Sequence, residues 1–219
     1  MKNKSIVIIS LLALVAIFFA GSYIYKSNES AEIEKLATTT SESNNGPFVR
    51  DHSMTFGENK KNIVVVEFLD PECEACAYFY PAVNKVYKEY YEEIKLVIRY
   101  LSNHQNSEFA VKILESSRLQ NKYKEVLDVI FTTQPQWAKH GNTKPELLWT
   151  FLEKVDGLDI EKLKKDVETI DVKNLLSKDR LDAAKLRVQG TPSFFVNGKK
   201  VQKLSYDALV DLVEGEIYK

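Results

Sequence analysis

Residues 63–69 have the sequence IVVVEFL, a run of β-branched and aromatic side chains interrupted by a single charge. Such a run is typical of a strand that is covered on both faces, and covering both faces requires helices on each side of the sheet. The turn Asp70–Glu72 follows, then helical periodicity over about 73–91, then a second apolar run at Ile94–Leu101. These three segments predict a βαβ unit and an α/β fold.

The segment after this unit is helical for most of its length. Apolar residues recur at helical spacing across about 104–188, which predicts a block of several helices. Strand signals return at Ser193–Val196, followed by an Asn197-Gly198 turn and a closing helix at Tyr206–Ile217. We therefore predict one domain over 51–219 with a helical insertion at about 104–188.

Composition narrows the functional classes. The 30 basic and 31 acidic residues give a net charge of −1, so no electrostatic field attracts a polyanion and we predict no nucleic-acid partner. Only 2 of the 219 residues are cysteines, too few for a disulfide-stapled scaffold. They form one CxxC motif, Cys73 to Cys76. A chain with this cysteine usage is expected to employ the pair for chemistry.

The N-terminus carries a membrane signal. Residues 6–25 are uncharged and mostly apolar, with Lys2 and Lys4 before them and Lys26 after them. This length suits a transmembrane helix. A cleaved signal peptide is the alternative, although the nearest small-x-small sequence, at residues 20–22, is a poor cleavage site. We interpret residues 1–25 as an anchor; on either interpretation the positive amino end stays cytoplasmic and the rest is exported.

Residues 26–50 differ sharply in composition, being rich in Ser, Thr and Asn with mixed charges. This composition predicts a flexible linker that holds the folded domain away from the membrane. The protein is thus expected to be single-pass in the inner or cytoplasmic membrane, with its catalytic domain facing the periplasm or exterior. Cleavage would instead give a soluble periplasmic protein.

The cysteines lie where a predicted strand leads into a predicted helix. Unpaired backbone N–H groups and the helix dipole stabilise a thiolate at Cys73 and lower its pKa. Cys76 lies one turn further on and deeper, which suits attack by Cys73 and resolution by Cys76. A zinc site is disfavoured because zinc needs about four ligands and the motif supplies two. A structural disulfide is disfavoured because a bridge of this spacing would stabilise the fold very little. We predict a redox-active pair with no metal and no other cofactor.

Three other positions bear on the chemistry. Glu67 is the only charge in its strand, so burial would raise its pKa and it could exchange a proton with Cys76 through water. The alternative is a strand-edge glutamate that reaches solvent. Pro192 begins a strand, and a cis bond would leave the Thr191 backbone free to pair with an extended peptide. His104 is interpreted as a surface residue.

The segments VVEFLDPECEAC and VQGTPSFFVNGKKV, with the helical block between them, together resemble the DsbA-like branch of the thioredoxin superfamily. Members are exported thiol:disulfide oxidoreductases with a helical domain inserted into a thioredoxin fold. The resemblance implies this fold for residues 50–219. It also implies a redox pair at Cys73 and Cys76, a functional acid at Glu67, and a cis-proline at Pro192 preceded by Thr191.

This sequence departs from the best-known members between the cysteines. They carry Pro-His, whereas Glu74-Ala75 stands here, which predicts a milder oxidant. We predict that Glu74, Ala75, Thr191 and Pro192 contact the substrate.

Three activities fit these features. The leading hypothesis is a dithiol oxidase that introduces disulfides into cysteine-containing protein substrates and is served by a membrane redox partner. The first alternative is a disulfide reductase or isomerase kept reduced by a membrane electron donor. The second is a copper(I) metallochaperone that uses the CxxC motif and one histidine.

Overall fold

The computed structural model describes residues 2–40 and 46–219. Its elements, in chain order, are α1 Lys2–Thr40, β1 Met54–Phe56, β2 Ile63–Leu69, α2 Glu74–Glu89, β3 Ile94–Tyr100, α3 Ser107–Arg118, α4 Tyr123–Thr132, α5 Gln134–Trp137, α6 Leu147–Leu152, α7 Ile160–Thr169, α8 Lys173–Lys185, β4 Ser193–Val196, β5 Lys199–Lys200 and α9 Tyr206–Ile217.

The described strands form one five-stranded sheet in the order β1-β3-β2-β4-β5. Strands β2 and β3 are parallel and joined by α2, which confirms the predicted βαβ unit. The other three pairings are antiparallel. Asn197 and Gly198, with φ of 46° and 82°, form the tight β4–β5 turn that the sequence predicted. Strand β1 was not predicted.

Side chains of the central strand β2 contribute to two hydrophobic cores, one on each face of the sheet. Ile63, Val65 and Leu69 pack on the face covered by α2 and the helical insertion. Val66 and Phe68 pack on the opposite face. Because side chains alternate along a strand, Glu67 belongs to the first face, on the same side of the sheet as α2.

Six helices, α3 to α8, lie between β3 and β4, in the segment where the sequence predicts a helical insertion at about 104–188. They pack largely on the face of the sheet that carries α2. The chain thus has a mixed α/β, thioredoxin-like fold into which a helical block is inserted.

The segment predicted as a flexible linker, 26–50, differs from the structure at both ends. Helix α1 continues to Thr40, so the linker is not flexible chain from residue 26 onward. Phe48 is buried and its ring lies 5.4 Å from that of Phe195 in an edge-to-face contact. Phe48 and Val49, which precede the predicted start of the domain at residue 51, therefore pack in the domain core. Residues 41–45 lie outside the described part.

Helix α1 contains an apolar stretch, Ile8–Tyr25, of 18 residues with a mean hydropathy of 2.2 and no buried residue. At 1.5 Å per residue it spans about 27 Å, close to the thickness of a bilayer's hydrocarbon core. It is a candidate for either a membrane-spanning helix or a signal sequence.

Candidate redox site

The two thiols occupy different environments at the start of α2. Cys73 is the N-cap residue, with extended backbone angles, and 9% of its surface is exposed. Cys76 lies in the first turn and is fully buried. Both are free thiols in the structure. The backbone N–H of Asp70 donates to Cys76 Sγ over 3.5 Å, which ties the turn after β2 to the inner thiol.

These environments push the two pKa values apart. Hydrogen bonds from the Cys76 thiol, from the Thr191 side chain and from the backbone N–H groups of Cys76 and Ala75 lower the pKa of Cys73 to about 5, although burial opposes them. Burial, followed by the hydrogen bond and charge of Cys73, raises the pKa of Cys76 well above its ordinary value. At neutral pH the reduced site therefore holds a thiolate at the outer position and a thiol at the inner one.

Glu67 is buried in the middle of the sheet. Its neighbours in register are Ile98 on β3 and Phe194 on β4, and only 1% of its surface is exposed. The alternative of a strand-edge glutamate in solvent is therefore wrong. Burial raises the pKa of Glu67 to about 8, and its charge contributes to the raised pKa of Cys76. The carboxyl group is mostly protonated at neutral pH and lies within electrostatic reach of the inner thiol.

The loop before β4 reaches the outer thiol. The Thr191-Pro192 peptide bond is cis, as the resemblance implied. Cys73 Sγ lies 3.4 Å from the carbonyl oxygen of Thr191, to which the thiol form donates a hydrogen bond. The two segments that carried the family resemblance thus meet at Cys73.

A cleft of about 360 Å³ opens beside Cys73. Glu74 and Ala75, both exposed, line one side of it. Other parts of its wall come from His104 and, in the loop after α5, from Ala138, His140, Gly141 and Thr143. The outer thiol and the two residues between the cysteines therefore line one cleft together with part of the helical insertion.

Sequence reasoning missed the contact between Asp70 and His104. His104 Nδ1 lies 2.8 Å from Asp70 Oδ2, and Asp70 is fully buried. A usable signal existed: Asp70 follows β2 and His104 follows β3, and the carboxyl ends of adjacent parallel strands meet at one edge of a sheet.

Within the described part of the chain, no group of three or more His, Cys, Asp or Glu side chains is arranged to hold a metal ion. The chemistry that these residues can perform is thiol–disulfide exchange between one stabilised thiolate, one buried thiol and a neighbouring protonated acid.

A thioredoxin-like sheet with this CxxC at a helix start defines the class of thiol:disulfide oxidoreductases. The sequence matches the thioredoxin family over residues 50–215. A Bacillus cereus protein, provisionally named disulfide bond formation protein D, is 30% identical over 181 residues, which are 80% of this chain and 83% of the relative. The chain belongs to the thioredoxin family, in its DsbA-like branch, and is a protein-disulfide oxidoreductase.

Two further comparisons agree with this assignment. A Rickettsia conorii protein, provisionally named protein-disulfide oxidoreductase, is 26% identical over 205 residues, covering 87% of this chain and 73% of that protein. The crystal structure of oxidised BdbD from Bacillus subtilis superimposes with a TM-score of 0.66 at 22% identity, covering 75% of this chain and 92% of that chain. The latter likeness concerns the fold alone.

Proposed function

We propose that the protein is an exported dithiol oxidase that passes a Cys73–Cys76 disulfide to its substrates. The observation that carries this direction is the lowered pKa of Cys73, about 5. A stabilised thiolate favours the reduced enzyme, so its disulfide is a better oxidant. Lowering the pKa from 9.0 to about 5 stabilises the reduced form at pH 7 by roughly 3 kcal/mol, or about 60 mV.

The reaction takes two exchanges. A substrate thiolate attacks Cys73 Sγ, forming a mixed disulfide while the bond to Cys76 breaks and Cys76 leaves as a thiolate. A second substrate thiolate then attacks the substrate sulfur of the mixed disulfide, and Cys73 leaves as a thiolate. The substrate gains a disulfide and the enzyme gains two electrons. The low pKa of Cys73 makes it a good leaving group in the second exchange.

Glu67 serves the first exchange as a proton donor. The departing Cys76 thiolate lies in a buried site where its charge is unfavourable, so it takes up a proton readily. Glu67 carries a proton at neutral pH because burial raises its pKa to about 8. It supplies that proton to Cys76, directly or through a water molecule.

The residues around the outer thiol contact the substrate. The Thr191 backbone beside Cys73 pairs with an extended segment of the substrate, by strand addition, and Pro192 shapes this loop. Glu74 and Ala75 line the adjoining cleft and contact the same segment. Backbone pairing suits an enzyme that acts on cysteines in many sequence contexts.

Helix α1 anchors the enzyme by its apolar stretch Ile8–Tyr25, so that the domain faces the periplasm or exterior. Each turnover leaves the enzyme reduced by two electrons, and a membrane redox partner reoxidises it. An anchored domain stays within reach of such a partner.

Trapping the redox state of Cys73 in cells, by acid quenching and thiol alkylation, tests the proposed direction. A mostly oxidised pair is expected; a mostly reduced pair would indicate the reductase or isomerase alternative. Cys76→Ala should accumulate substrates bound to Cys73, with Cys73→Ala as the control that accumulates none. Stoichiometric copper(I) in anaerobically reduced protein, without mixed disulfides, would instead support the metallochaperone.

A further inference from the structure

The proposed exchange chemistry does not use the polar contact between Asp70 and His104, although it lies beside Cys73. The Asp70 carboxylate is fully buried and fixed by donors. Oδ1 accepts from Ser107 Oγ at 2.5 Å and from the Glu72 backbone N–H at 3.0 Å. Oδ2 accepts from the Asn103 backbone N–H and contacts His104 Nδ1, both at 2.8 Å.

This arrangement orients the imidazole. Because a carboxylate only accepts hydrogen bonds, His104 Nδ1 carries a proton and donates it, which leaves Nε2 as the nitrogen that gains or loses the second proton. The His104 side chain is 42% exposed, whereas its partner is completely buried. A fixed carboxylate behind a half-exposed ring holds the ring in one place at the mouth of the cleft.

The ring and the outer thiol share the same cleft. Burial lowers the pKa of His104, but the hydrogen bond and charge of Asp70 and the charges of Cys73 and Glu72 outweigh it and raise the pKa overall. An electrostatic interaction is mutual, so a proton on His104 favours the Cys73 thiolate as much as the thiolate favours that proton.

The surrounding charges are mixed. Those facing His104 come from the turn after β2, the start of α2, helix α3, the loop after α5 and helix α8, namely Asp70, Glu72, Cys73, Glu74, Glu108, His140, Lys173 and Arg180. Between the cysteines, Glu74-Ala75 offers no positive side chain to the thiolate. Any positive side chain near the thiolate therefore comes from outside the motif.

We propose that His104, held by Asp70, is an electrostatic partner that stabilises the Cys73 thiolate from across the cleft. This inference rests on the thiol–disulfide chemistry proposed above. It assigns to a residue after β3 the role of a positive group near the reactive sulfur, and it makes the oxidising power of the site depend on protonation of His104.

The test titrates Cys73 in the reduced, full-length protein by its ultraviolet thiolate absorbance. His104→Gln keeps a donor for Asp70 but removes the charge, and it should lower the thiolate-to-thiol ratio of Cys73 by about 3–10-fold. The equilibrium with glutathione should move toward the enzyme disulfide by the same factor. His104→Arg keeps a cation and should restore most of both quantities.

His52→Gln is the matched control. His52 Nε2 lies 2.6 Å from the buried Asp179, a similar histidine–carboxylate contact that is not part of the cleft. It should leave the Cys73 titration unchanged. An unaltered titration in His104→Gln, or equal changes in both variants, would overturn the proposal. The oxidase assignment is judged separately, since the redox state of the parent in cells does not depend on either variant.

Discussion

At the scale of single residues, the burial of Glu67 makes the free energy of unfolding depend on pH. Its pKa rises from 4.5 to about 8 on folding because the carboxyl group is buried. A raised pKa contributes stability that is fully present below pH 4.5 and is lost as pH rises through about 8. Above that pH the buried charge costs up to about 4–5 kcal/mol. Glu67→Gln should thus unfold at higher urea concentration than the parent at alkaline pH and match it near pH 4.

The same substitution tests the proposed proton transfer. Glu67→Gln cannot donate a proton, so formation of the mixed disulfide, the first exchange, should slow by about 10²-fold and at most 10⁴-fold. Stopped-flow measurement with a thiol peptide follows both exchanges. In the parent, the exchange that needs protonated Glu67 should slow as pH rises through about 8. A variant with the parent's rates from mildly acidic to mildly alkaline pH would remove Glu67 from the mechanism.

The negative charge of Glu74 disfavours the neighbouring Cys73 thiolate, which the helix dipole favours. Its side chain is exposed, so solvent and salt screen its charge. Glu74→His should raise the reduction potential by an amount on the order of 30 mV, or about 1.4 kcal/mol, when measured by glutathione equilibration. Glu89→His, at the exposed far end of the same helix, is the control and should change little. An unchanged or more reducing Glu74→His would show that this position does not set the potential.

At the scale of elements, a buried ionic cluster joins β3 to α8. Arg99 Nη2 lies 2.6 Å from Asp179 Oδ1 and 2.8 Å from Asp182 Oδ2, and all three side chains are at most 1% exposed. Arg99→Met removes the buried cation that bridges the two carboxylates and should destabilise the fold by about 3–5 kcal/mol in urea unfolding. Lys162→Ala, which breaks an exposed pair with Asp166, is the control and should cost less than about 1 kcal/mol.

The effect of Arg99→Met should also depend on pH. Burial opposes the change, but hydrogen bonds from Arg50 and Arg99 lower the pKa of Asp182 below 3.8 overall. A lowered pKa contributes stability that is present above the unfolded value and is lost as pH falls through the folded one. The difference between parent and variant should therefore narrow in acid. A constant difference would show that packing of the arginine, rather than its charge, stabilises the cluster.

The elements that sequence could predict are those whose signal is local. The apolar run of β2, the helical period after Cys73 and the Asn197-Gly198 turn each carry their own pattern, and all three are confirmed. Strand β1 was missed because its three residues have no pattern of their own and are held by pairing with β3. Phe48 was assigned to the linker because only its distant partner, Phe195, makes it part of the core.

The same distinction between local signals and long-range contacts applies to the candidate site. The positions of Cys73 and Cys76 and the burial of Glu67 follow from the motif and from one odd charge in an apolar strand. The contact of His104 with Asp70 depends on two strand ends that are adjacent only after the sheet has formed. The signal for this contact is therefore not local but lies in the order of the two parallel strands that precede Asp70 and His104.

At the scale of the whole molecule, α1 and the redox domain impose different requirements on their surroundings. The stretch Ile8–Tyr25 leaves large apolar side chains exposed, and in water this exposure is unfavourable. The proposed oxidase activity, in contrast, requires an oxidising compartment in which the domain can regain its disulfide. Both requirements are met when the helix crosses a membrane and the domain stands on its outer side.

Lys2 and Lys4 determine the predicted orientation, because positive residues before a first helix remain cytoplasmic. Residues 20–22 are a poor cleavage site, so the mature protein should begin near residue 1 and fractionate with membranes after a carbonate wash. Its orientation should expose residues beyond Lys26 to protease added outside spheroplasts. Intact-mass measurement and protease protection check this. The control replaces Lys2 and Lys4 by Glu, which should reduce the fraction of correctly oriented protein. A mature N-terminus near Tyr23 would show that α1 is cleaved as a signal peptide and that the domain is released.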